Sequence, residues 1–323
     1  MFISKHNYMS KAIPLVLAFT PNYFIPAATC LYSIIKNSSK AEKFHVICLL
    51  TEELPLDMIE KLKRLTSDRI QYSFINLTGK LKDVYIDERY TIAASYRLLL
   101  PDLLPEYDKA LYIDCDVIVR NNLAELYNEI DLKDNYLAAV YEASLDFQIP
   151  YLHSIGSRPG EYINSGFLIM NLKQLRQDGM VTRFLQAAKS DGLQFPDQDV
   201  LNKLCKGRIL ALPPYYNSIR TFFLPQYKKD FLNYYSEKDW NNVQEHGTIH
   251  YTGAKPWNSF TVKFRDWWDY YEQLPTEIKN EWQVNNKMYK LYRLYRTAIG
   301  SFFINSLQSI YRKLKRNTKS FQE

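Results

Sequence analysis

Residues 12–19 (AIPLVLAF) form a run of eight with no polar side chain. So short and continuous a run predicts a strand buried on both faces. The period then changes. Ala27, Ala28, Leu31 and Ile34 recur at helical spacing and predict a helix over 25–37. A second apolar run, 44–50 (FHVICLL), predicts another strand. Leu56, Ile59, Leu62 and Leu65 form one stripe and predict a helix over 56–65. A third strand is expected at 70–77. Residues 91–100 look helical and should stop before Pro101, and 110–119 (ALYIDCDVIV) read as a fourth strand interrupted by acids. Strands alternating with helices imply an open, mostly parallel α/β sheet.

The second half is less regular. Strands are expected at 136–141, 166–172, 209–212 and 248–251, and helices at 173–189 and 197–205. No repeat and no linker interrupts the chain before about residue 277. The expectation is one mixed-sheet domain over 12–276, preceded by a disordered or non-native segment, 1–11. Met9 is an alternative start.

Composition changes this picture little, and charge changes it more. The chain has 323 residues, 46% hydrophobic and 24% charged, which is ordinary for a globular protein and excludes disordered and collagen-like chains. The formal net charge is +6. Residues 277–323 hold ten basic and three acidic residues, leaving 31 basic and 32 acidic in the other 276. A neutral body argues against nucleic acid as a partner, and the basic segment calls for a separate role. Cys30, Cys48, Cys115 and Cys205 are scattered, without a C-x-x-C pair, which fits reduced thiols in a cytoplasmic setting. Residues 1–11 lack the apolar core of a signal peptide, and no apolar run approaches the length of a spanning helix.

The chemistry concentrates in 109–121, KALYIDCDVIVRN. On a strand, Asp114 and Asp116 would share one face, with Cys115 on the other. Two buried carboxylates repel each other and lose hydration, and a hard divalent cation removes both costs. The alternative is a turn after a short strand. A second D-x-D, Asp197-Gln198-Asp199, opens a helical pattern, where positions i and i+2 do not share a face. There Asp197 reads most simply as an N-cap. HGTIHYTGAKPW (246–257) gathers special residues: His250, a glycine at 253 that permits close backbone approach, and Lys255 as a point charge for phosphate.

These segments together carry a resemblance. The opening strand into Asn22-Tyr23, TIAASYRLLLPDLLP (91–105), YIDCDVIV (112–119), INSGFLIMNL (163–172), DQDVLN (197–202) and HYTGAKPW (250–257) follow one another as in the retaining glycosyltransferases of family 8. The resemblance implies a GT-A fold: a single α/β domain with an open mixed, mostly parallel sheet flanked by helices, here with a basic helical C-terminal extension. It implies that Asp114, Asp116 and His250 hold Mn²⁺, with Mg²⁺ as the alternative, against the diphosphate of a UDP-sugar. It places Gly253 and Lys255 at the diphosphate, and Tyr23 on uracil with Thr20 and Asn22 beside it. Arg97, Asp114, Cys115, Asn164 and Ser165 fall at the donor, and Asp197, Gln198 and Asp199 at the reacting centre. Two departures stand out: Thr20-Pro21 occupy a stretch where many members carry an acidic residue, and the His-to-Lys spacing is one residue shorter than in the best-known galactosyltransferases.

The implied reaction moves a hexose, galactose or glucose, to a glycan or lipid-linked acceptor with retention of configuration, as in lipopolysaccharide synthesis. Gln198 is an amide and a poor nucleophile, which favours front-face attack over a covalent intermediate on Asp199. A nucleotidyltransferase would carry a Gly-rich basic loop after the first strand, and LAFTPNYF has neither feature. A non-catalytic nucleotide-sugar-binding protein would not need Asp114, Asp116, His250, Lys255 and Gln198 together. Leu291, Tyr295, Ile299 and Phe302, then Leu307, Ile310 and Leu314, make one helical face beside a basic cluster at 311–316. A basic amphipathic helix predicts binding to an anionic membrane surface, here the inner face of the plasma membrane. Trp267, Trp268, Tyr270 and Tyr271 are candidates for stacking on an acceptor sugar, with the core as the alternative for most of them, and 217–227 is a candidate for lining its cleft. For the tail, the alternative is a helix packed on the body or on a second copy, with a solvated basic face.

Overall fold

The computed structural model describes residues 12–65, 69–85, 91–283 and 285–306. The segments 1–11 and 307–323, with the basic cluster at 311–316, lie outside the described residues. Seven strands form the main sheet: β1 (Ile13–Phe19), β2 (Phe44–Leu50), β3 (Ile70–Asn76), β4 (Lys109–Ile113), β6 (Leu137–Tyr141), β7 (Ile163–Asn171) and β8 (Ile209–Ala211). Their order is β3-β2-β1-β4-β7-β6-β8. β7 runs antiparallel to both its neighbours, and the other pairings are parallel. Every residue of β2 is buried, and β1 is nearly so. Helices cover both faces, which is why those runs do not alternate polar and apolar positions.

A second sheet of three short strands, β5 (Val117–Ile118), β9 (Ser218–Ile219) and β10 (Ile249–His250), has the order β5-β10-β9. The strand expected over 110–119 is therefore split. β4 ends at Ile113 in the main sheet, and the chain resumes in the second sheet at Val117. Asp114, Cys115 and Asp116 form the turn between them, so the two carboxylates do not lie on one strand face. The turn is what lets the chain change sheets.

Two helices also differ from expectation. The segment 91–100 does not stop before Pro101. Ile92–Ser95 is helical, Tyr96–Leu99 tightens to a 3-10 turn, and a new helix, Leu100–Leu103, takes Pro101 in its first turn, where a missing N–H costs nothing. The helix expected over 173–189 breaks into Leu172–Gln177 and Met180–Ala187 at Gly179, whose φ of +60° suits glycine. Leu56 is 78% exposed, so the stripe expected to include it buries only from further along the helix.

Trp267 and Trp268 are completely buried in the helix Phe264–Glu272, and Tyr271 nearly so. They cannot stack on an acceptor sugar. Their work is packing. Each such ring is worth roughly 3–5 kcal/mol against alanine. The helix Asn286–Tyr295 closes over them: Tyr292 stacks on Trp268 with centroids 5.8 Å apart, and its hydroxyl donates to Asp269 at 2.8 Å. The short helix Thr276–Lys279 buries Ile278 completely, and Lys61 pairs with Glu281 beside it. The helices Thr276–Lys279 and Asn286–Tyr295 are thus packed on the body. The helix expected to continue through 316 is interrupted at Arg296–Thr297, where Thr297 Oγ1 accepts from Gly300 N–H at 3.0 Å and opens a new helix from 298. Leu294, Ile299, Phe302 and Phe303 stand exposed around that break.

Candidate active site

The turn after β4 lies at the carboxyl ends of the parallel strands, where ligands bind in open α/β sheets. Asp114 N–H donates to Gly166 O on β7 at 2.9 Å, and Tyr251 N–H to Asp116 O at 3.0 Å. The turn is pinned to both sheets. Asp114 Oδ1 accepts from Arg97 Nη2 at 2.8 Å and from the Tyr112 hydroxyl at 2.9 Å. His250 Nε2 lies 3.8 Å from Asp114 Oδ2 and 3.5 Å from Asp116 Oδ1. One donor atom from each of Asp114, Asp116 and His250 falls within 4.8 Å of the others. The structure thus brings the three expected ligands together.

The surroundings fit a cation there. A Cβ at Gly166 would sit 2.2 Å from His250 Cε1 and 2.7 Å from Asp114 Oδ2. Glycine is required at that point of β7 because the imidazole and the carboxylate occupy the space. Lys255 Nζ donates to Asp116 Oδ2, and to Tyr251 O at 2.7 Å. Burial pushes the Asp116 carboxyl up, but Lys255 and His250 outweigh it and hold the group well below the usual carboxylate range.

Arg97 is the second centre. It is 2% exposed, and its guanidinium reaches Asp114, Asp197 (3.1 Å) and Ser165 Oγ (2.9 Å) while lying 4.4 Å over the Tyr112 ring. Burial works against its charge, and the two carboxylates more than restore it. Asp197 and Gln198 sit in the first turns of the helix Pro196–Leu204. Asp197 is not the N-cap; that position is Phe195. Asp197 instead accepts from Ser165 Oγ at 2.9 Å, and burial, opposed by Arg97, leaves its carboxyl raised. Gln198 Oε1 accepts from Ser165 N–H at 3.0 Å and from Asn164 Nδ2 at 3.2 Å. Asp199 points elsewhere. It is 1% exposed and accepts from the Tyr151 and Tyr162 hydroxyls and from Phe195 N–H at 2.9 Å.

The remaining expected residues lie around this core. Tyr23 ends the turn Pro21–Tyr23 after β1, its ring edge-on to Trp257 at 5.9 Å. Asn22 is exposed, and Thr20 accepts the Tyr23 N–H at 2.8 Å through its carbonyl. Cys115 turns away from both carboxylates to donate to Ala18 O at 3.7 Å. Gly253 has φ +77° with open space where a Cβ would project, so backbone conformation rather than crowding selects glycine there.

Sequence reasoning missed Gly166 and Glu142, and took Asn217 only as the start of a segment lining an acceptor cleft, whereas it is fully buried against His250. Asn217 Oδ1 lies 3.0 Å from His250 Nδ1, and Glu142 Oε1 accepts from Asn164 Nδ2 at 3.2 Å and Gln198 Nε2 at 3.4 Å. A glycine inside a strand is a signal of close approach, and Gly166 was readable on that ground. Asn217 and Glu142 carried no such mark.

This sheet and its acidic turn define a glycosyltransferase domain of the GT-A type. Residues 14–261 match the sequence model of glycosyl transferase family 8, and the chain belongs to that family. It is 24% identical over 280 residues to a putative glycosyltransferase of Haemophilus influenzae, covering 82% of this chain and 84% of that one. It is 28% identical over 262 residues to a lipopolysaccharide 1,2-glucosyltransferase of Escherichia coli K12, covering 78% and 75%. Among solved structures, the galactosyltransferase LgtC with donor and acceptor sugar analogues superposes with a TM-score of 0.68 at 24% identity, covering 84% of this chain and all of that one. The bifunctional glycosyltransferase WbbM superposes at 0.71 and 24% identity over 84% of this chain, which spans about half of that longer protein.

Gly166→Ala should weaken Mn²⁺ binding at least about tenfold, read by titration calorimetry on folded protein. Unchanged affinity would mean that His250 and Asp114 do not hold the cation as a pair.

Proposed function

We propose that the chain is a retaining, metal-dependent hexosyltransferase that moves galactose or glucose from a UDP-sugar to a glycan or lipid-linked acceptor in lipopolysaccharide or other surface-polysaccharide synthesis. The observation that carries this reading is the convergence of Asp114, Asp116 and His250 beside Lys255 on one side and Arg97, Asp197 and Gln198 on the other. The names of the E. coli relatives support the acceptor class.

Asp114, Asp116 and His250 would hold Mn²⁺, or Mg²⁺ in its place. Such an ion supplies Lewis-acid stabilisation of the departing diphosphate. Lys255 adds a fixed positive charge at the same place. Arg97 keeps Asp197 and Asp114 in register across the donor pocket. Tyr23 offers a ring for the base, Asn164 and Ser165 line the sugar side, and Gly253 shapes the loop that carries Lys255. Gln198 has its carbonyl oxygen taken up by β7 donors, which fits a positioning role and front-face attack. Asp199 is bound by three donors and serves to anchor Tyr151 and Tyr162. No observation favours the nucleotidyltransferase or the non-catalytic reading.

A panel of UDP-hexoses with Mn²⁺, read by UDP release, should identify one preferred donor. Asp116→Ala should then lower kcat at least about 100-fold. Turnover of no UDP-hexose, or an unaffected variant, would overturn the reading.

The basic C-terminal segment would hold the enzyme against the inner face of the plasma membrane. No helix of the described residues is long and apolar enough to cross a membrane. The exposed Leu294, Ile299, Phe302 and Phe303 support surface attachment. A chain ending at Ser306 keeps the packed helices and removes the basic cluster. Each basic residue near an anionic leaflet is worth about 1 kcal/mol, so flotation on phosphatidylglycerol vesicles should fall at least about tenfold. Equal flotation of both chains would remove the role assigned to that cluster.

A further inference from the structure

We propose that Asn217 is a positioning residue that fixes the tautomer of His250, at the end of a directed chain of amides running from Glu142. The proposal deepens the metal-site reading above and rests on it.

The direction of the chain is set by backbone donors, which have no choice of role. Gly166 N–H donates to Asn164 Oδ1 at 3.1 Å, and Ser165 N–H to Gln198 Oε1 at 3.0 Å. Each contact fixes which end of the amide is oxygen. Asn164 must then present Nδ2 on its other side, where Glu142 Oε1 and Gln198 Oε1 both accept at 3.2 Å. Gln198 Nε2 is left facing Glu142, at 3.4 Å. A carboxylate only accepts, so it suits the two amide N–H₂ groups that end there.

The other end follows by the same logic. Asn164 Oδ1 is an acceptor, so the Asn217 atom 2.9 Å away is Nδ2. Asn217 Oδ1 therefore faces His250 Nδ1 at 3.0 Å. An oxygen there requires a proton on Nδ1. In the neutral imidazole that leaves Nε2 bare, aimed between Asp114 Oδ2 and Asp116 Oδ1. Without Asn217 the two carboxylates would draw the proton to Nε2 and destroy the ligand. With it, the lone pair stays where a cation is bound. Asn217 and His250 are 0% and 3% exposed, so water does not substitute for this contact. Metal-ligating histidines are commonly held in this way, and loss of the partner typically costs 10–100-fold in affinity.

Two measurements on the full chain test the proposal. In metal-free wild type at pH 8, nitrogen-15 spectra of the His250 ring, assigned by comparison with His250→Gln, should show the proton on Nδ1. A proton on Nε2 would overturn the proposal without any variant at Asn217. In a donor-free Mn²⁺ titration followed by electron paramagnetic resonance, Asn217→Leu should bind about 10–100-fold more weakly. Asn217→Asp keeps an accepting oxygen for Nδ1–H but turns a second oxygen toward Asn164 Oδ1 in place of the Nδ2 donor, so it should bind more weakly than wild type and more tightly than Asn217→Leu. Wild-type affinity in a folded Asn217→Leu protein would overturn the proposal. If wild type binds no Mn²⁺, the metal reading fails separately, and the ring spectrum alone decides the role of Asn217.

Discussion

Arg97 carries its charge at 2% exposure between Asp114 and Asp197, and the rest of the site depends on that burial. A buried guanidinium is tolerated only with its partners in place. The pairing ties the turn after β4 to the helix that presents Gln198, two elements more than 80 residues apart in the chain. Charge then sets what the site lacks. Asp114, Asp116, Asp197 and Glu142 are four carboxylates, and Arg97 and Lys255 are two cations beside them. The surplus is negative, and a divalent ion would cancel it. The same cluster that repels an anion when empty of metal would accept a diphosphate once loaded, which is the electrostatic content of the proposed chemistry.

Much of this was legible in the sequence because it was local. The continuous apolar run at 12–19 marked β1 as a buried strand, and the run at 44–50 marked β2 as a strand. The acidic pair in KALYIDCDVIVRN and the His-to-Lys stretch of HYTGAKPW marked the cluster. The geometry assumed for that pair was not legible. Asp114 and Asp116 converge because a turn carries the chain from one sheet to another, and periodicity within ten residues does not reveal a change of sheet. Gly179 and Pro101 failed as punctuation for opposite reasons: one broke an apolar pattern that looked continuous, and the other was absorbed into a first helical turn.

The residues that were missed act across long separations. Asn217 meets His250 and Asn164, and Glu142 meets Asn164 and Gln198, only because β9 pairs with β10 in one sheet, β6 pairs with β7 in the other, and the helix Pro196–Leu204 packs beside β7. Nothing at 142 or 217 differs from an ordinary polar residue in the linear chain. The aromatic residues near 267–271 admitted two readings, a sugar platform or core, and they are the floor on which residues 286–295 pack. The first part of the basic segment accordingly follows the alternative of a helix packed on the body.

If Asp114, Asp116 and His250 hold a cation that makes the pocket receptive to a nucleoside diphosphate, UDP binding must depend on that cation. Titration calorimetry of UDP into metal-free protein, with and without added Mn²⁺, measures this dependence. Tight binding is expected only with the metal, and the dependence should be lost in His250→Ala. Equal UDP affinity with and without Mn²⁺ in the wild-type chain would contradict it.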